Sequence, residues 1–323
     1  MRAPGCRAAR RRRPPQSRAG VERPGRAMMR ETPMLHSAAR RPAALRPTLA
    51  AFTVVACAVL SLATPAAAET APKAKALDLS NFVLTFEDDF KYLDVSAHGP
   101  DTRWIAHTPW NGDFGDAAFD DPGPLGPFAA SREGLTITAH KDAAGKWHSG
   151  LLASMDKDGP GQHGFAQRYG YFEIRAKLPD GPGVWPAFWL IGTQKETSSA
   201  EIDVFEYYGA FPTGFHSVEH IWEHGKDRLA LDHITDISPN FFTSHFNRFG
   251  VMIDPQRTRF YLNGEEIWDT PTPPEYRQPM YMLVNLALGG GWPIDKLVSP
   301  AVMAVDYVRV YRDKALPETA TAP

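Results

Sequence analysis

Glu201-Ile202-Asp203-Val204-Phe205-Glu206 places three carboxylates within six residues, with apolar side chains between them. Residues two apart on a pleated strand share a face, so Glu201 and Asp203 project together while Ile202 and Val204 turn toward a core. Glu206 is out of step by one. A β-bulge, in which one extra residue sits opposite a single partner, restores it to the face of the other two, and bulges are enriched beside active sites. Three like charges on one face are costly to ionise together, so a purely structural strand has little reason to carry them. Glycosidic-bond hydrolysis does have a reason. It needs one carboxylate as nucleophile and one carboxylic acid of raised pKa to protonate the leaving oxygen, and the like-charge neighbourhood supplies the raised pKa. Glu201 and Glu206 start roughly 13 to 16 Å apart along the backbone, and two long side chains leaning inward can close to the roughly 5 to 5.5 Å of retaining chemistry. The bland readings of the same residues are a solvated acidic strand face or a calcium cluster.

The flanking sequence favours the chemical reading. Upstream, in Gly183-Val184-Trp185-Pro186-Ala187-Phe188-Trp189-Leu190-Ile191-Gly192, Trp185 and Trp189 stand an even number apart and share a strand face, where flat rings can stack on sugars or simply fill a core. Downstream, Met280 to Leu288 is an apolar run holding one amide, Asn285, before three glycines and Trp292. A buried amide needs partners; for Asn285 these are a sugar hydroxyl, a catalytic carboxylate or a neighbouring loop.

With the Tyr169 to Arg175 segment, Phe86-Glu87-Asp88-Asp89-Phe90 near the start and Val305 to Tyr311 near the end, these motifs resemble glycoside hydrolase family sixteen. The resemblance covers most of the chain beyond residue 68 and implies an all-β, concanavalin A-like β-jelly-roll sandwich with a concave substrate cleft. By motif position it implies Glu201 as nucleophile, Glu206 as general acid/base and Asp203 as the carboxylate between them. Trp104 to Ala117, which includes Trp110, and Glu206 to Gly209 look most like the bacterial endo-1,3-1,4-β-glycanases that trim succinoglycan-type exopolysaccharide. The family also holds laminarinases, lichenases, agarases and carrageenases. The bulged spacing argues against its xyloglucan-transferase branch. By resemblance, too, Glu87 and Asp306 help hold a structural calcium away from the cleft; oxygen ligands suit that ion. No cofactor is expected for catalysis.

The first 46 residues are rich in Arg, Pro and Ala, and an apolar run from Leu49 to Ala63 leads into Thr64-Pro65-Ala66-Ala67-Ala68. This reads as a signal segment, residues 1–68, cleaved near Ala68, which makes the expected product extracellular or periplasmic. Met28, Met29 or Met34 would each give a more ordinary start. Alternatives at this end are a twin-arginine signal at Arg40-Arg41 and lipidation at Cys57. Cys6 and Cys57 are the only cysteines, and both fall in the leader, so no disulfide or thiolate metal site is expected beyond it. Residues 69–315 form the expected catalytic domain and 316–323 a tail. The leader carries 13 Lys and Arg against 2 acids, which leaves 22 basic and 35 acidic residues in the remainder, a net −13. So acidic a chain repels phosphate backbones, which argues against nucleic acid as a partner. The apolar run is too short for a membrane span. The expected partner is polysaccharide, and the oligomeric state is open. An anionic polymer would need a locally basic cleft, for which Arg168, Arg175, Lys195 and Lys226 are candidates.

Short strands separated by Gly/Pro/Asp turns recur along residues 82–311, and long amphipathic helices are absent, the pattern of a sandwich or barrel. One strand is expected from His148 to Met155, and Asn263-Gly264 marks a hairpin. The Gly-, Pro- and Asp-rich stretch from Asp94 to Phe128 reads as loops flanking the cleft. His216, His220 and His224 are spaced by four, but no His-Glu-x-x-His order accompanies them. Cleft-lining is the reading for His216 and His220. The rivals to a hydrolase are a non-catalytic lectin on the same scaffold and a transglycosylase.

Overall fold

The computed structural model describes residues 75–316, apart from 111, 158, 160, 162, 196 and 197. The leader, with Cys6, Cys57 and the expected cleavage site, and tail residues 317–323 lie outside the described residues. In chain order the strands are β1 (Phe82–Asp88), β2 (Val95–Ser96), β3 (Trp104–Ile105), β4 (Ala118–Phe119), β5 (Phe128–Ser131), β6 (Gly134–Lys141), β7 (Trp147–Ser149), β8 (Leu151–Ala153) and β9 (Gly170–Lys177). Then come β10 (Val184–Gly192), β11 (Ser198–Glu206), β12 (Gly214–Glu223), β13 (Lys226–Asp236), β14 (Asn247–Ile253), β15 (Arg257–Leu262), β16 (Glu265–Pro271), β17 (Met280–Leu288) and β18 (Ala301–Asp313). Among the described residues, helix is confined to α1 (Phe241–Ser244) and a 3-10 turn at Pro274–Tyr276.

These strands form two sheets. One runs β13-β12-β11-β10-β17-β8-β3-β2; the other runs β16-β15-β14-β9-β18-β6-β7-β4, with β1 and β5 added beside β18 and β6. Between them lies the main core. The apolar alternation explains the layering: along β10, Val184, Phe188 and Leu190 enter this core, while Trp185, Ala187, Trp189 and Ile191 face the other way. Along β17 the same rule sends Met282, Val284 and Leu286 inward, and Tyr281, Leu283 and Ala287 outward. Each fully buried large apolar side chain contributes about 1.5–3 kcal/mol.

The outward residues of β10 and β17 are not left to water. They form a second apolar cluster with Ile105, Phe119, Leu151 and Ala153, so the Asp94–Phe128 loops roof one half of the eight-stranded sheet. The other half, β11 to β13, carries the acids.

Two strand expectations change. His148 to Met155 is broken at Gly150, where the chain passes from β7 in one sheet to β8 in the other. A Cβ at Gly150 would come within 2.6 Å of the Phe128 ring, so only glycine lets the corner close. β13 was not anticipated. Its sequence, Lys226 to Asp236, is mostly exposed, because an edge strand pairs through its backbone without needing a buried face.

Candidate functional site

The bulge at the acidic strand is present. Against β10 the register steps from Trp189↔Asp203 to Phe188↔Phe205, and against β12 it steps from Asp203↔Val218 to Glu206↔His216. Val204 and Phe205, consecutive in sequence, both enter the main core. Glu206 thereby returns to the outward face with Glu201 and Asp203. The Val204 carbonyl, displaced from the regular ladder, accepts a hydrogen bond from the buried Ser217 hydroxyl at 3.0 Å, which satisfies a group that would be costly to leave unpaired.

Each outer acid has its own indole. Trp185 Nε1 donates to Glu206 Oε1 at 2.8 Å, and the Tyr208 hydroxyl donates to the same oxygen at 3.1 Å. Trp222 Nε1 donates to Glu201 Oε2 at 2.9 Å. Trp185 and Tyr208 stack with centroids 5.9 Å apart, and Gly290 is wedged against both, where a Cβ would come within 2.8 Å of either ring. From the core side, the Tyr276 hydroxyl donates to the Glu201 and His220 carbonyls at 2.8 and 3.3 Å, fixing the register of β11 on β12.

Two imidazoles complete the face. His220 places Nε2 3.5 Å from Asp203 Oδ2 and its Nδ1 2.6 Å from Asp227 Oδ2, and it stacks on Trp222 at 5.0 Å. His216 pairs with Asp232 at 2.9 Å and meets Tyr208 edge-on. The hydrogen bond that His216 donates to Asp232 raises the His216 pKa, with burial opposing the rise.

Burial is the leading reason that all three acids hold protons above the ordinary carboxylate range. It pushes Glu201 up to about 7, against the pull of His220 and the Trp222 indole. Asp203 is raised well above its usual value, first by burial and then by repulsion from Glu206 and Glu201. Glu206 is raised by burial, with the Trp185 hydrogen bond pulling the other way. Like-charge repulsion, expected from the sequence as the main cause, is therefore secondary to desolvation. N–H and O–H donors favour the ionised form of the outer acids, whereas Asp203 faces only the more distant His220, so a shared proton is best kept on Asp203. Glu201, Asp203 and His220 also bring two carboxylate oxygens and one imidazole nitrogen within 4.8 Å of one another.

The remaining candidates divide. Trp185 is half-buried and touches Glu206; Trp189 is buried, edge-on to Trp110 and Phe114 at 6.2 and 5.7 Å. Trp110 is exposed beside it. Trp292 lies in the loop after β17 and packs edge-on against Phe211 at 4.5 Å. Asn285 is corrected from substrate ligand to brace: it is fully buried, accepts from Trp189 Nε1 at 2.7 Å and donates to the Trp185 carbonyl at 3.3 Å. Arg175 is corrected as a cleft cation, since it lies in the other sheet, paired with Asp306. Of the calcium pair, Glu87 binds Arg309 at 2.8 Å and Asp306 binds Arg175. Sequence reasoning missed Trp222, Tyr208, Asp227 and Asp232. The signal for Trp222 was present, since it continues the even-numbered face of His216 and His220.

The floor of acids is open. Glu201 and Glu206 are only partly covered, as are Trp185, His216, His220 and Trp222, so the acids can be reached from solvent. Cavities of about 190 Å³ beside Thr85 and Arg103 and about 300 Å³ beside Pro182 and Lys296 lie elsewhere.

Known proteins are similar to this chain in sequence and in fold. The chain is 33% identical over 261 residues to the endo-1,3-1,4-beta-glycanase EglC of Rhizobium meliloti (strain 1021), and 31% identical over 258 residues to ExsH, an endo-1,3-1,4-beta-glycanase of the same organism. Each match covers 73% of this chain and 53% of the relative, so the chain spans about half the length of these proteins. The catalytic domain of an endo-1,3-beta-glucanase (laminarinase) from Thermotoga petrophila RKU-1 has the same fold, with a TM-score of 0.58 at 22% identity, covering 72% of this chain and 98% of that one. The model of the glycosyl hydrolases family 16 matches residues 130–309, more than half the chain and all of the acidic floor. This chain belongs to the glycosyl hydrolases family 16.

Proposed function

We propose that this protein is a secreted, retaining endo-β-glycanase that cleaves β-1,3/1,4-linked polysaccharide, with succinoglycan-type exopolysaccharide as the leading substrate. One observation carries the reading. The bulge at Val204-Phe205 sets Glu201 and Glu206 on one face of an open groove, each with a separate indole donor, and with Asp203 between them. The names of the two Rhizobium relatives support the linkage class, and the leader sequence supports secretion.

In this mechanism Glu206, protonated, gives its proton to the leaving sugar oxygen while ionised Glu201 attacks the anomeric carbon. Glu206 then takes a proton from water, which displaces Glu201 and restores the starting anomer. The Trp222 indole holds Glu201 Oε2, which aims the other oxygen, Oε1, at the sugar. Burial keeps a proton available near neutrality on the constellation, and Asp203 stores it between the two outer acids. An open groove with acids in mid-floor suits cleavage within a chain rather than at its end.

Incubation with succinoglycan, lichenan, laminarin and agarose, with products read by mass spectrometry, tests the reading. Internal cleavage of at least one β-1,3/1,4-linked polymer into oligosaccharides is expected. Binding without any released reducing ends would instead identify a lectin, and products longer than the starting chains on adding acceptor would identify a transglycosylase.

A further inference from the structure

Trp110 stands 43% exposed at the rim of the groove, edge-on to Trp189 at 6.2 Å. Gly112 lies against its pyrrole edge, where a Cβ would come within 2.6 Å, so the loop closes beside the ring without crossing it with a side chain. Lys195 reaches back from the turn that follows β10. Its Nζ lies 4.4 Å from the Trp110 ring centre and donates to the Tyr281 hydroxyl at 2.9 Å. Tyr281 is fully buried on the outward face of β17, opposite Ile191, which in turn lies opposite Glu201. These contacts set a fixed ammonium at the groove wall beside the candidate nucleophile.

Lys195 as a residue is exposed, but partial burial of its ammonium lowers the pKa to about 8, with the charge of Glu201 opposing the drop, so it remains cationic at neutral pH. An ammonium carries three donors, and the hydrogen bond to Tyr281 occupies one. A lysine serving only to offset Glu201 would bond to it. Lys195 instead bonds to a neutral hydroxyl and stands over an exposed indole, a surface on which a sugar ring stacks. The −13 net charge beyond the leader repels an acidic polymer at long range, so a fixed cation in the groove is what such a polymer needs to dock.

We propose that Trp110 and Lys195 form a subsite beside Glu201 for a sugar bearing a carboxylate, the indole stacking on the ring and the ammonium binding the acid. This rests on the glycan-cleaving reading above and adds to it the charge of the substrate. The carboxylate has two chemical sources, an oxidised C6 of the ring or an acid group appended to a hydroxyl.

The test compares lichenan, C6-oxidised lichenan and carboxymethylated lichenan with the wild type, Lys195→Met and Lys195→Arg. A charge-assisted hydrogen bond lost in a partly dry site should lower kcat/KM of Lys195→Met on an anionic polymer about tenfold more than on the neutral one. The change should fall mainly in KM, and Lys195→Arg should recover most of the difference. A selective loss on the C6-oxidised polymer assigns the ring acid; a selective loss on the carboxymethylated polymer assigns the appended one. Equal losses on neutral and anionic polymers, or no loss, overturn the proposal. Titration of the three polymers into Glu201→Gln, with and without Lys195→Met, separates this from the catalytic reading. If the wild type cuts none of them, weaker binding of an anionic polymer on removal of Lys195 still supports the subsite, and unchanged binding removes it.

Discussion

Three carboxylates on β11 and one on β12 lie one strand apart on the same sheet, and the protein treats them differently. On β11, Glu201, Asp203 and Glu206 face outward into a groove, and the outer two accept hydrogen bonds from Trp222, Trp185 and Tyr208. On β12, Glu219 faces inward, fully buried between the sheets. It accepts one hydrogen bond, from the Thr270 hydroxyl at 2.7 Å across the sandwich, and its Oε2 is buried without a partner. Burial raises both Glu201 and Glu219 to about 7. Similar pKa values therefore do not make equal chemistry. The outer two acids have N–H and O–H donors that can hold a charge when it forms and face outward toward substrate, whereas Glu219 has one hydroxyl donor, a second oxygen without a partner and no access, and is best neutral.

The largest expected effect comes from the outward set. Glu201→Gln should lower turnover by about 10⁴-fold or more while its circular dichroism stays that of the folded protein. Its Tm should rise by a few degrees, because an acid that is costly to bury has been made neutral. Near wild-type activity would remove Glu201 from the reaction, and a lowered Tm would break the argument that burial is what raises its pKa.

A smaller effect tests the indole donors. Trp222→Phe keeps the ring but removes the N–H that favours ionised Glu201. The pKa of that acid should rise, so the acid limb of the kcat/KM profile moves upward by about one to two pH units, with a loss of about 10–100-fold below neutrality. In the wild type this limb should already lie nearer 7 than the 4.5 of an ordinary glutamate. A uniform loss at every pH would show that Trp222 supports the strand rather than the charge.

Much of the site could be read from residues 201–206 alone, because a frame shift in an otherwise alternating apolar pattern forces either a bulge or a misplaced acid. The apolar strands were legible for the same reason. The partners of the site were not. Asp227 and Asp232 sit on an edge strand whose side chains are mostly exposed, so no hydrophobic period marks it. Asn285 looks from sequence like a polar group awaiting a sugar, and only the cross-strand register shows both tryptophans using it. The arginine partners of Glu87 and Asp306 were equally hidden, since only the pairing of β1, β9 and β18 brings Arg309 and Arg175 against them.

The smallest effect on activity comes from the inward acid. Between pH about 4.5 and about 7, folded Glu219 holds a proton that the unfolded chain has released, so its contribution to stability falls as pH rises through that window and stays lost above it. The difference corresponds to at most about 3 kcal/mol. Glu219→Gln keeps an acceptor for Thr270 and removes the charge. Denaturant melts should show it more stable than the wild type at pH 8 and close to it at pH 4, with glycanase activity unchanged. Equal stability at both values would show that Glu219 is not dry.

The proposed chemistry rests on Glu201 forming a bond to sugar while Glu206 handles the proton. Trapping with a 2-deoxy-2-fluoro glycoside bearing an activated leaving group, followed by peptide mass spectrometry, tests this most directly. The label is expected on Glu201. A label on Glu206 or Asp203, or inactivation that leaves no covalent sugar on the strand, would contradict it.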